Sequence, residues 1–155
     1  MSKLTHIDEQ GRAHMVDVSG KTVTHRSATA SGKVLMSQEA FDLSDKNAKG
    51  DPIVVAELAG IMGAKKTAEL IPLCHPLALS KVSVSINPLD TDIGYGITAT
   101  VKTDGKTGVE MEALTAVSVA CLTVYDMLKA VDKRIMITDI ALIQKTGGKS
   151  GDFSR

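Results

Sequence analysis

Residues 107–130, TGVEMEALTAVSVACLTVYDMLKA, constrain the fold more than any other part of the sequence. The run has no proline and no glycine after Gly108, so nothing in it breaks a helix. Its apolar residues recur at the three- and four-residue spacing of one helix face: Met111, Leu114, Val117, Cys121, Val124 and Leu128. This spacing predicts a long helix whose apolar face needs a second layer of secondary structure to cover it.

The rest of the chain predicts a sheet that can supply this layer. The predicted elements are a strand over 21–36, a short helix over 37–45, a helix from Pro52 that ends before Pro72, a hairpin over 79–103 and a strand over 135–144. The helix from Pro52 is predicted to have an apolar stripe of Val55, Leu58, Ala59 and Met62. The order strand, helix, strand, strand, helix, strand predicts an α+β fold: a ferredoxin-like split β-α-β subunit with an antiparallel sheet and helices on one face.

Length and composition predict one domain over residues 1–155. The 155 residues are 43% apolar, which is enough for one core and too few for two. Residues 1–20 are expected to be loosely ordered, and residues 145–155, rich in glycine and lysine, are expected to form a flexible tail. The 18 basic and 18 acidic residues cancel, which argues against a nucleic-acid or membrane-surface binder driven by net charge.

The cysteines and the apolar runs indicate a cytoplasmic protein. Cys74 and Cys121 have no CxxC spacing, and no signal peptide is apparent, so disulfides and export are not expected. No uninterrupted apolar run approaches the roughly 20 residues that a membrane-spanning helix needs.

The segment LIPLCHPLALSK places Cys74 and His75 between Pro72 and Pro76. The prolines favour a stiff, extended backbone, and rigid loops of this kind often present functional side chains. His75 is suited to bind a polar ligand or to carry a proton, although a buried or capping histidine explains the pattern equally well. The other histidines have no ligand spacing to match it, so no metal site is predicted.

Charged residues mark both ends of the predicted long helix. Asp126 and Lys129 are three residues apart, so the carboxylate can orient the ammonium group, as it also does in ordinary exposed pairs. Glu110 and Glu112 lie in the first turn, where carboxylates also complement the helix dipole. Glu112 and Asp126 are separated by about 21 Å along the axis, at about 1.5 Å per residue. A site that uses both ends therefore needs a long ligand or a second subunit.

Six strings together carry a resemblance to a known family: KGD, AGIMGAKKT, LIPLCHPLALSKV, TGVEMEALTAVSVA, VYDMLKAVDK and KTGGKSGDF. They closely resemble the cyclic pyranopterin monophosphate synthase family of molybdenum cofactor biosynthesis, and the match runs from THIDEQGRAHMVDVS to the C-terminus. The resemblance implies a homohexamer, a trimer of dimers, with its active site at the dimer interface. It also implies conversion of (8S)-3',8-cyclo-7,8-dihydroguanosine 5'-triphosphate to cyclic pyranopterin monophosphate, with release of diphosphate and without a cofactor.

The resemblance also assigns site residues. The family's catalytic residues match Lys49, Lys129 and Asp126. Its substrate-binding positions match Leu73, Cys74, His75, Glu110, Met111 and Glu112, and its residues near the triphosphate match Arg26, Lys65 and Lys145. Repulsion between the two lysines is expected to lower the pKa of one of them, so that one donates a proton and the other accepts it. The alternatives are a module that binds a nucleotide or pterin without chemistry, and a structural oligomer.

Overall fold

The computed structural model describes residues 5–44 and 50–155. Its strands are β1 (Thr24–Leu35), β2 (Lys81–Pro88), β3 (Gly94–Gly105), β4 (Met136–Thr146) and β5 (Phe153–Ser154), and its helices are α1 (Gln38–Ser44), α2 (Pro52–Lys65), α3 (Thr67–Leu70) and α4 (Glu110–Leu128). All neighbouring strands are antiparallel, in the order β2-β3-β1-β4-β5. This arrangement confirms the predicted α+β, ferredoxin-like fold.

Strand β1 is the centre of the sheet because it pairs along its length with both β3 and β4. From Ala28 to Val34 every second residue of β1 is buried, as expected of a strand with one face on the core. Ala28, Ala30 and Val34 are at most 1% exposed and belong to the same hydrophobic cluster as α4. The sheet therefore provides the layer that the sequence of α4 requires.

Helix α4 packs against the central strands on its buried side, which includes Ala113, Val117, Cys121 and Val124. The helix is long and apolar enough to cross a membrane by length and composition alone. However, half of its most apolar stretch is buried in the protein, as in the core helix of a folded domain. The prediction of a long helix is confirmed, and Val117, Cys121, Val124 and Leu128 of its predicted apolar face are buried, whereas Met111 is 36% exposed.

Helix α2 differs from its predicted form in two ways. It ends at Lys65, and a separate four-residue helix, α3, precedes Pro72. The predicted apolar stripe does not face the core, because Leu58 and Met62 are 59% and 51% exposed. Small residues pack on α4 instead: a Cβ on Gly60 would lie 2.9 Å from the carbonyl oxygen of Ala116. Close approach of two helix backbones selects small side chains at the contact, and this leaves the larger apolar ones outside.

The C-terminal end of the chain pairs with the sheet more than the sequence indicates. Strand β4 extends through Thr146, so Lys145 belongs to a strand rather than to the predicted tail. Phe153 then returns as β5 and pairs with Lys145. Within residues 5–23, before β1, one isolated bridge joins Ile7 to Ala13.

Candidate active site

A cavity of about 230 Å³ lies between the loop that follows α3 and the first turn of α4. Six of the predicted substrate-binding residues line it: Leu73, Cys74, His75, Glu110, Met111 and Glu112. The N-terminal segment completes the wall with Val16 and Val18. Segments far apart in the sequence thus meet around one pocket, which we call the imidazole cavity.

His75 is fixed in the imidazole cavity by a backbone contact. Its Nε2 atom lies 2.8 Å from the carbonyl oxygen of Val16. A carbonyl oxygen only accepts hydrogen bonds, so Nε2 must carry the proton. Nδ1 of the neutral ring is then a hydrogen-bond acceptor.

Glu112 and Cys74 form the acidic part of this cavity. Glu112 is only 4% exposed. Burial raises the pKa of its carboxyl group, and the negative charge of Glu110 raises it further. Burial also raises the pKa of the Cys74 thiol, with a smaller contribution from Glu112. The cavity therefore favours neutral, protonated forms of both side chains.

A second cavity of about 850 Å³ adjoins the first, and both are lined by Lys21, Thr107, Gly108 and Glu110. Five cationic side chains line it: Lys21, Arg26, Lys106, Lys145 and Lys149. We call it the cationic cavity. A concentration of positive charge of this kind suits a polyphosphate.

Arg26 and Lys145, the predicted triphosphate residues of this cavity, are held by defined contacts. The Arg26 Nε atom donates to the carbonyl oxygen of Gly105 at 2.9 Å. Lys145 Nζ lies 2.5 Å from Ser150 Oγ and 3.5 Å from a carboxylate oxygen of Glu110. Glu110 thus links the cationic cavity to the acidic wall of the imidazole cavity.

Lys65, the third predicted triphosphate residue, lies apart from Arg26 and Lys145. It lines a separate cavity of about 140 Å³, which shares Leu77 and Glu112 with the imidazole cavity. Lys65 therefore lies in a cavity that adjoins the imidazole cavity at Glu112, and it does not line the cationic cavity.

Asp126 and Lys129 lie at the opposite end of α4 from the two glutamates. Their side chains are 67% and 52% exposed, and Lys129 Nζ donates to Asp126 Oδ1 at 2.6 Å. This hydrogen bond, together with the charge of Asp126, raises the pKa of Lys129. Neither residue lines the three cavities described above. Within residues 5–44 and 50–155, one subunit does not bring them to the residues that line these cavities.

Comparison with known proteins identifies the family. Residues 15–148 match the MoaC family. The chain belongs to this family.

Curated relatives match over nearly their whole length and carry the name cyclic pyranopterin monophosphate synthase. The protein from Dinoroseobacter shibae is 62% identical, over 99% of this chain and 98% of its own. The protein from Cereibacter sphaeroides is 61% identical over the same shares, and that from Nocardioides sp. is 60% identical over 99% of this chain and 96% of its own. The resemblance inferred from the six strings is therefore confirmed.

The third predicted catalytic residue of this MoaC chain, Lys49, lies outside the described residues. Within residues 5–44 and 50–155, no three His, Cys, Asp or Glu side chains come together in a way that could hold a metal ion.

Sequence reasoning missed Lys21, Lys106 and Lys149 as residues of the cationic cavity. The signal for Lys149 is the tail string KTGGKSGDF, where glycines and lysines alternate as in flexible segments that cover phosphates. Lys106 stands in the turn between β3 and α4, next to the residues that line both cavities. Individual lysines are too common in loops for their number alone to indicate a site.

Proposed function

We propose that this MoaC chain converts (8S)-3',8-cyclo-7,8-dihydroguanosine 5'-triphosphate to cyclic pyranopterin monophosphate, with release of diphosphate. The proposal is supported by the name that its full-length relatives carry, cyclic pyranopterin monophosphate synthase. The structural observation that carries it is the adjoining pair of cavities, one with an imidazole and a buried acid and the other cationic. The substrate has the same two parts, a purine-derived ring system and a triphosphate.

The cationic cavity is the proposed triphosphate site. Formation of the cyclic phosphate expels diphosphate, so negative charge on the leaving group has to be stabilised. Arg26 offers a planar guanidinium group for paired contacts with phosphate oxygens, and Lys145 a compact charge beside it. Because Lys145 pairs with Glu110 here, substrate phosphate must compete with that carboxylate.

The imidazole cavity is the proposed site for the ring system. Nδ1 of neutral His75 can accept a hydrogen bond from a ring N–H, and the buried carboxyl group of Glu112, whose pKa burial raises, offers a second hydrogen-bonding group. Leu73, Cys74 and Met111 supply the apolar wall. Opening the five-membered ring of the substrate also needs a group that delivers a proton to a leaving nitrogen.

Lys129 is the proposed proton donor. Asp126 holds the ammonium group and raises its pKa in the free subunit. A proton donor works best with a pKa near the operating pH, so the proposal requires the assembled site to lower the pKa of Lys129. Lys49 is the proposed second catalytic lysine and the candidate for the accepting role. Lys65 is proposed to contact the substrate from behind Glu112, where its cavity adjoins the imidazole cavity.

We also propose a homohexamer, a trimer of dimers, with each active site shared across a dimer interface. Two observations support an oligomer with shared sites. The Asp126–Lys129 pair lies about 21 Å along α4 from Glu112, and only a second subunit can bring another copy of that pair to the cavities. In addition, Val54, Leu58 and Met62 of α2 are more than half exposed, as apolar residues at subunit interfaces are before assembly.

The proposal includes a cytoplasmic location, where the free thiols of Cys74 and Cys121 stay reduced. It requires no cofactor or metal ion, because the named side chains supply proton transfer and charge neutralisation. It assigns no nucleic-acid or membrane partner, in keeping with the zero net charge.

The test is turnover of the cyclised guanosine triphosphate, followed as diphosphate and pterin product. Wild type and Lys133→Ala, which removes an exposed lysine four residues beyond Lys129, are expected to form both products. Lys129→Ala is expected to form neither while it still binds substrate. No product from folded wild type would overturn the proposed activity and favour a binding module; full activity of Lys129→Ala would overturn only the role of the lysine.

The shared site is tested by co-expressing two inactive variants with different tags. A mixed oligomer of Arg26→Ala and Lys129→Ala contains sites with both residues intact if the two come from different subunits. Random pairing of subunits in dimers then restores about a quarter of wild-type activity. A mixture of Arg26→Ala and Lys145→Ala is the control: both residues line one cavity of one subunit, so activity should not return. Equal failure of both mixtures would contradict the shared site.

A further inference from the structure

Asp132 is a buried carboxylate that the proposed chemistry does not use. It is 6% exposed, although aspartate is rarely buried unless it is paired. Its two oxygens accept hydrogen bonds from two different segments of backbone: Oδ2 from the N–H of Ser37 at 2.9 Å, and Oδ1 from the N–H of Arg134 at 2.9 Å. The carboxylate therefore joins parts of the chain that are 95 residues apart.

One of these parts is the turn that follows α4. The backbone N–H groups of Val131 and Asp132 both donate to the carbonyl oxygen of Leu128, at 2.9 and 3.2 Å. Lys129 is the first residue of this turn, and its N–H donates to the carbonyl oxygen of Tyr125. These backbone bonds place Asp132 in the turn that follows the Asp126–Lys129 pair, and its carboxylate links this turn to Ser37.

The other part is the start of α1. Ser37 precedes the helix, and its Oγ accepts from the N–H of Ala40 at 3.3 Å, as an N-cap does. The far end of α1 is also anchored, because Ser44 Oγ lies 2.5 Å from Tyr95 Oη and Ser44 is 1% exposed. Helix α1 is therefore held at its N-terminus by the contact of Ser37 with Asp132 and at its C-terminus by the contact of Ser44 with Tyr95 of β3. It is a fixed support for the turn after α4.

A buried carboxylate at position 132 lowers the free energy of unfolding unless it is paired, and the hydrogen bonds that it accepts explain why it is there. A buried charge is destabilising unless it is hydrogen-bonded. The side chain of Arg134 is a weak partner for the Asp132 carboxylate, because it is 87% exposed and its Nε atom lies 3.4 Å away. The backbone N–H groups are therefore the main partners of Asp132. Two N–H groups from separate segments need two acceptor oxygens on one side chain, and an amide offers only one.

We propose that Asp132 is a positioning residue for the reaction, which holds the turn after α4 on α1 so that the Asp126–Lys129 pair is aimed at the substrate. This inference rests on the proposed function of that pair. Because the binding cavities lie at the other end of α4, loss of Asp132 should affect the chemical step more than substrate binding.

The test compares kcat and KM in Asp132→Ala with two matched controls. Ser37→Ala removes the hydroxyl, which caps α1 and also contacts the Asp132 carboxylate, and Arg134→Ala removes the side-chain contact at 3.4 Å. Both variants keep the backbone N–H groups that donate to the carboxylate at 2.9 Å. Asp132→Ala is expected to lower kcat by about 10- to 100-fold, the range typical of a misplaced catalytic group, with KM within about twofold. The two controls should keep kcat within about twofold, and Asp132→Asn, with one acceptor oxygen, should be intermediate.

All variants are measured where circular dichroism shows them folded, with Asp132→Asn replacing Asp132→Ala if the alanine variant does not fold. The inference would be overturned if the folded Asp132→Ala variant kept the wild-type kcat, or if Ser37→Ala lowered kcat as much as Asp132→Ala does. Lys129→Ala serves to separate it from the proposed function. If Lys129→Ala is inactive and Asp132→Ala is fully active, only the positioning role fails; if Lys129→Ala is fully active, the proposed role of the pair fails and the inference fails with it.

Discussion

The Nε2 atom of His75 lies 2.8 Å from the carbonyl oxygen of Val16, a residue 59 positions earlier in the chain. This contact connects the N-terminal segment to the loop that follows α3. It also fixes which ring nitrogen carries the proton, because the carbonyl can only accept. The N-terminal segment therefore lines the imidazole cavity and also determines the tautomer of its histidine.

Neutral His75 is expected to be the tautomer with the proton on Nε2. Proton–nitrogen correlation spectra of protein labelled with ¹⁵N-histidine at pH 8 report the tautomer of each ring. The His75→Gln spectrum identifies which signals belong to this residue. Observation of the Nδ1–H tautomer at His75 would contradict the contact with Val16.

Asp126→Asn is expected to lower the pKa of Lys129 toward 10.5, since the hydrogen bond and the negative charge of Asp126 are what raise it. Titration of the lysine Cε signals by NMR measures the change. Asp139→Asn is the matched control, because Asp139 forms a 3.1 Å ion pair with Lys33 elsewhere on the surface. An unchanged Lys129 titration in Asp126→Asn would show that the pair does not tune the lysine.

Glu112→Gln is expected to stabilise the substrate-free protein at pH 7.5 and to have little effect at pH 4. Because burial raises the pKa of Glu112 in the folded state, the folded protein binds its proton more tightly than the unfolded chain does. Its destabilising effect is absent below the ordinary value of 4.5, grows as pH rises and is complete above the raised pKa.

Urea unfolding of wild type and Glu112→Gln at the two pH values, at one protein concentration, measures this difference. Glu39→Gln, in the first turn of α1 and exposed, is the control for the substitution itself. The same gain in stability at both pH values would contradict the assignment to the ionisation of Glu112.

Gly148→Ala is expected to raise KM for the triphosphate substrate about tenfold, equivalent to about 1.4 kcal/mol. A Cβ at position 148 would lie 2.1 Å from Arg26 Nη1, so the guanidinium group would have to move. Gly151→Ala is a close control: its φ is +74°, against +84° at Gly148, yet nothing lies within 4 Å of its Cβ position. Both variants share the backbone strain of about 1–2 kcal/mol, so a similar KM in the two would exclude displacement of Arg26.

Local patterns predicted the elements of this fold well. The spacing of Val117, Cys121 and Val124 is a property of neighbouring residues, and it predicted a core helix that the structure contains. The break between α2 and α3 at Lys66 and the small-residue contact at Gly60 were not predictable in this way. The contact at Gly60 depends on how closely α2 approaches α4, which no periodicity within α2 encodes.

The site was predicted in part. LCH and EME were assigned to the substrate from their resemblance to the family, and the structure brings Leu73, Cys74, His75 and the residues of the first turn of α4 to one cavity. The tail string KTGGKSGDF carries a local signal for Lys149, but its position in the cationic cavity could not be predicted, because it requires the chain to reverse after β4 through Gly147 and Gly148, at φ of +87° and +84°. The position of Lys129 relative to the cavities could not be predicted either, since helix geometry gives its distance along α4 from Glu112 but not which other residues lie beside it.

The sequence by itself determined the order of strands and helices, the family and the types of side chain available for the chemistry, because these are written in short-range spacing and in contiguous strings. Only the tertiary structure decided that Val16 orients His75, that Glu112 is buried and that Asp132 joins the turn after α4 to Ser37. These contacts span 59 and 95 residues of chain. They exist because antiparallel pairing of β1 with β3 and β4 brings distant segments together, and burial then sets the hydrogen-bond partners and proton affinities.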